Sequence, residues 1–156
     1  MALTKLQRPS ILSQPGASFQ SSSSVASGTT SVDTQTAALA NEFLNAVTTI
    51  HKFHLRITGL GSFAAHKALN EFYDEIGEHA DALVEKYQGA SEKLLDIKDT
   101  VPTCVYDVEE CINYLRNMTA QITALQAVMP YSEIVNLLDE AKATIDSTKY
   151  KLLFFK

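Results

Sequence analysis

From about residue 34 onward, apolar side chains recur at steps of three and four, the spacing of helices that bury one face. Leu39, Phe43, Ala46, Val47, Ile50, Phe53, His54 and Ile57 make the first stripe. It predicts a helix starting near Thr34 or Thr36, with Asp33 or Thr34 as N-cap and Gly59 and Gly61 forming the turn that follows. Phe63, Leu69, Phe72, Ile76, Ala80, Leu83 and Tyr87 predict a second helix, capped by Ser62, running to about Gln88 and ended by Gly89. Val105, Val108, Cys111, Ile112, Leu115, Met118, Ile122, Leu125 and Met129 form a near-heptad stripe, the mark of a bundle core. That third helix starts at Cys104 or Tyr106, beyond Pro102, and reaches about Val128. Pro130 breaks it, and Ser132 caps a fourth helix to about Thr148 that turns Ile134, Leu137, Leu138, Ala141 and Ile145 inward.

Two stretches fall outside this pattern. Residues 1–33 are rich in Ser, Gly and Thr, with few apolar points, and predict a flexible arm or one that orders against a neighbouring subunit. The ending KYKLLFFK places apolar and aromatic residues together, which points to bundle completion or to an interface. The expected organisation is therefore an arm over 1–33 and one four-helix unit over 34–156.

Composition narrows the function classes. The net charge of −5, and an arm holding only Lys5 and Arg8, disfavour binding to nucleic acid. No apolar run approaches the ~18 residues of a membrane span, and the default expectation is a cytoplasmic protein. Cys104 and Cys111, seven apart on one helix face, are too distant to bridge and read as small core residues.

Candidate chemistry gathers in one stretch, His54 to Gly89. On a helical wheel with His66 at zero, Asn70 falls near ~40°, Asp81 near ~60° and Glu85 near ~100°. They share a wedge, but roughly 16 Å of helix separates the first pair from the second. Metal ligands sit at ~2 Å, so one chain cannot bring both pairs to one ion. Two copies of this helix, antiparallel about a two-fold axis, would set His66 of one against Asp81 and Glu85 of the other. The midpoint falls near Glu75 and Ile76, and Gly77 beside it would let two helices approach closely.

In spacing, the stretch resembles the Dps proteins, small ferritin-like iron-oxidising cages. His54 and His66, Asn70 four later, Asp81 eleven after that and Glu85 four further on match the family's order, and Gly59 matches its turn. The resemblance covers about Leu39 to Gly89 well and extends to Dps-like proteins encoded by bacteriophages. It implies an all-α fold, a ferritin-like four-helix bundle with a long crossover between helices 2 and 3, a short extra helix in SEKLLDIKD, and an iron site shared across a dimer dyad. Two departures bear on activity. Asn70 stands where the family has a bridging Asp, and Leu55 where it usually has Trp. A neutral amide does not bridge two cations, so His54, His66, Asp81 and Glu85 suit one metal better than a di-iron pair.

Two functional expectations follow. One is a homodimer or larger cage, paired through helix 2, that binds iron or another divalent metal and carries weak ferroxidase activity. The other is a structural protein, for example a phage virion component, that keeps the fold without catalysis and assembles through its arm and apolar C-terminus. His51, three before His54, reads as a surface residue with a neighbouring ligand as the alternative, and His79 as structural.

Overall fold

A computed structural model describes residues 31–155, so most of the expected arm lies outside the described residues. Among the described residues the chain is all-helical: α1 Val32–His54, α2 Ser62–Ser91, α3 Val108–Gln126 and α4 Ser132–Phe154. The ends differ from the sequence expectation. α1 starts two residues early because Ser31, not Asp33 or Thr34, caps it, its side chain accepting from the Thr34 amide. α2 takes Gly61 as its N-cap residue, runs through Gly89 and stops at Glu92, which adopts the left-handed conformation. α3 begins only after Asp107, whose carboxylate accepts from the Glu110 amide. α4 continues six residues past Thr148, and this extension buries Leu152.

The helices form a ring in which α1 touches α2 and α3, and α4 touches α2 and α3. Polar contacts fix their directions. The Tyr87 hydroxyl donates to Asp33, so the end of α2 lies beside the start of α1. Burial and this bond push the Tyr87 phenol up to about 12. At the other end His66 stacks on His54, which makes the pair antiparallel. Lys151 bonds Glu71 and Thr144 bonds Glu75, so α4 is antiparallel to α2.

The segment between Ser91 and Val108 is not helical, contrary to the short helix expected over SEKLLDIKD. It runs beside α1 from one end to the other. Lys93 pairs with Asp33, Thr100 accepts from Asn41 and Asn45, the Thr103 carbonyl accepts from Thr49, and the Val105 carbonyl accepts from Arg56. Length explains the extended form. α1 spans about 34 Å, and the same segment coiled as a helix would reach only about 24 Å.

One core joins all four helices, with Phe43, Phe53, Phe72, Leu115, Ile122 and Ile134 almost fully buried. Three expected positions move. Phe63 is 82% exposed rather than in the core. Cys104 is exposed in the connection, while Cys111 is buried, and both thiols are free. Gly77 faces α1 of its own chain, where an added Cβ would meet Val47 Cγ2 at 3.5 Å, an ordinary contact. It is therefore not a groove kept open for a second copy. Gly77→Ala should stabilise the fold by about 0.5–1 kcal/mol through helix propensity, read by urea denaturation. A loss of stability would mean that the α1–α2 seam has no room for a methyl group.

Candidate metal centre

Where α1 ends and α2 begins, the tight turn through Gly59 and Gly61, both at positive φ, folds α2 back on α1. This brings His54 over His66 with ring centroids 3.7 Å apart and planes 28° from parallel. His51, one turn earlier on α1, stacks on Tyr73 at 4.4 Å, and Tyr73 meets His54 edge-on at 5.4 Å. Three imidazoles and a phenol thus share one seam. Tyr73 is the member that the sequence reading missed, and His51 the one it ranked as a surface residue ahead of a neighbouring ligand. The signal was there: His51 is one turn from His54, and Tyr73 is two turns from His66.

Each ring has a different polar situation. His54 is buried, and neither of its ring nitrogens has a hydrogen-bond partner among the described residues. Its pKa is lowered, first by burial and then by the neighbouring His66 and His51, with Asp74 acting the other way. His66 is exposed, and its Nδ1 lies 3.2 Å from the His54 carbonyl oxygen. A carbonyl only accepts, so Nδ1 carries the proton and Nε2 is left free to bind a cation. Asn70 is committed elsewhere: its oxygen accepts from the Tyr73 hydroxyl at 2.8 Å, and its nitrogen donates to Asp74 at 2.9 Å.

Asp81 and Glu85 are exposed further along α2, well away from the histidines. The structure therefore brings His54, His66 and Asn70 into one neighbourhood and leaves Asp81 and Glu85 outside it. Among the described residues of one protomer, no three His, Cys, Asp or Glu side chains converge as a metal site. His79 is half-buried against α4, its Nε2 3.3 Å from Thr144 Oγ1, and burial lowers its pKa.

Residues 54–152 match a family described as a family of unknown function, DUF5856. The chain belongs to that family. The matched region opens at His54, the last residue of α1, and takes in α2, α3 and nearly all of α4. All five candidate ligands fall inside it. No curated protein and no solved structure matches the chain. Among the described residues no helix is long and apolar enough to cross a membrane.

Proposed function

We propose that this DUF5856 member is a Dps-like protein with a ferritin-like bundle, which pairs through α2 about a two-fold axis and takes up iron or another divalent cation between protomers. His54 and His66 of one chain, with Asp81 and Glu85 of its partner, would hold the ion. The observation that carries this reading is His54: a buried imidazole with two unpartnered nitrogens, stacked on a second imidazole whose Nε2 is free. Buried polar atoms without partners are rare, and a ligand role is one of the few reasons to keep one. The helix order adds support. Antiparallel neighbours α1–α2 and α2–α4, with an extended connection along α1, are what a ferritin-like bundle with a long crossover requires. When bound, such a cation supplies Lewis acidity; if it is Fe2+, it is itself the substrate to be oxidised.

The ligand set fits one cation. Asn70 does not fit a bridging role, because both ends of its amide are bonded to Tyr73 and Asp74. This favours a second reading, a building block with the same fold and no oxidation chemistry. Its exposed Leu153, Phe154 and Phe155 would then serve assembly, for example in a virion.

Aerobic addition of Fe2+, followed by the near-ultraviolet absorbance of ferric oxo species, separates the two. Oxidation faster than in buffer, and lost in a His66→Ala, Asp81→Ala double variant, is the expected result. A trace that superimposes on buffer, with or without the substitutions, would leave only the building block.

A further inference from the structure

A cavity of about 610 Å³ opens where the α1–α2 turn, the first turns of α3 and the last turn of α4 meet. Its walls are mostly apolar, with Ile57, Ile112, Leu152 and Phe155 prominent among them. The volume lies in the ~300–1,000 Å³ range of small-molecule sites.

One cation marks the lining. Arg116 donates to Asn113 on its own helix and has no ion pair among the described residues. Glu109, the acidic residue of the lining, precedes it by two turns, about 10 Å along α3, and does not neutralise it. A guanidinium without a carboxylate partner, at the edge of an apolar cavity, selects for a ligand with an apolar body and one anionic end. Arg is well suited to a carboxylate, which it can bind through two parallel hydrogen bonds.

We infer that this cavity binds an amphipathic monocarboxylate, its chain among Ile57, Ile112, Leu152 and Phe155 and its carboxylate on Arg116. The site shares no lining side chain with the histidine seam and does not depend on the metal reading. It gives the Ile57–Gly61 turn, with Leu60 98% exposed, and the exposed end of α4 a common apolar partner.

The test uses the full chain with decanoate below its micellar concentration, followed by titration calorimetry, beside decan-1-ol and decyltrimethylammonium. Saturable binding of decanoate, at least ~10-fold tighter than that of either comparator, is expected. Arg116→Gln, an exposed change that leaves the fold intact by circular dichroism, should remove that preference. Val108→Trp, which adds bulk to the cavity lining, should abolish binding altogether. No saturable binding, equal affinity for all three compounds, or decanoate affinity unmoved by Arg116→Gln would overturn the assignment.

Discussion

Replacing His54 with phenylalanine should make the protein more stable and, at the same time, less able to hold a cation. The ring is buried, with two nitrogens that no atom of the described residues satisfies. An unsatisfied buried polar group costs about 1–3 kcal/mol, and an apolar ring of similar shape avoids that cost. Phenylalanine keeps the stack on His66 and the edge contact with Tyr73. We expect a gain of about 1–3 kcal/mol near pH 7, seen as a melting temperature roughly 3–8 °C higher. His54→Leu, which gives up the stack, should gain less.

The pH dependence follows from the same burial. The folded-state pKa of His54 is lowered, whereas in the unfolded chain it titrates near ~6.5. Below that pH the unfolded state takes up a proton that the folded state refuses. Stability is therefore full above ~6.5 and falls as pH drops through ~6.5 toward the lowered folded value. His79, also lowered by burial, adds a contribution of the same sign. Melting curves from pH 7.5 to 5 should slope downward toward acid, and His54→Phe should reduce that slope while leaving the His79 part. An unchanged slope in the variant would show that His54 is not the group that resists protonation.

How much of this was legible from residues alone depends on what each feature needs. Helix positions and core membership come from local periodicity, and they read well: nearly every apolar position assigned to α1, α3 and α4 is buried or half-buried. Phe63 is instructive because the same periodicity could have excluded it. On the wheel that has His66 at zero it stands near ~60°, the angle of Asp81, away from the core. The end of α4 was cut short although Leu152 follows Ile145 by two full turns, on the buried side. The extended connection was not legible, because a pattern such as SEKLLDIKD carries no information on the distance it has to span. Only the length of α1 forces it straight. The histidine seam was half legible. Spacing paired His54 with His66, but only the packing of α2 on α1 shows that His51 and Tyr73 join them.

The proposed pairing through α2 should depend on metal, and the charges on that helix show why. Asp74, Glu78, Asp81 and Glu85 are all exposed on it. In an antiparallel pair centred near Glu75 and Ile76, Asp74 of one chain comes opposite Glu78 of the other, twice. Each such like-charge pair opposes association by ~1 kcal/mol or less, and salt screens it. At the two ends of such a pair, Asp81 and Glu85 would approach His66 of the partner, where a cation would bind both sides. Without metal, sedimentation should therefore show a monomer in chelator; a divalent cation such as Mn2+ or Zn2+ should drive it to a dimer. Two variants should then move in opposite directions. Asp81→Asn with Glu85→Gln removes ligands and should weaken metal-driven association by at least ~30-fold. Asp74→Asn with Glu78→Gln removes the repulsion at the axis, keeps a side-chain oxygen at position 74 for the Asn70 amide to donate to, and should strengthen association several-fold, with or without metal. A dimer that persists in chelator, or one that both double variants weaken alike, would mean that the subunits meet through some other face. His54 and His66 would then face no partner carboxylate, and the apolar end of α4 would become the leading candidate for the contact.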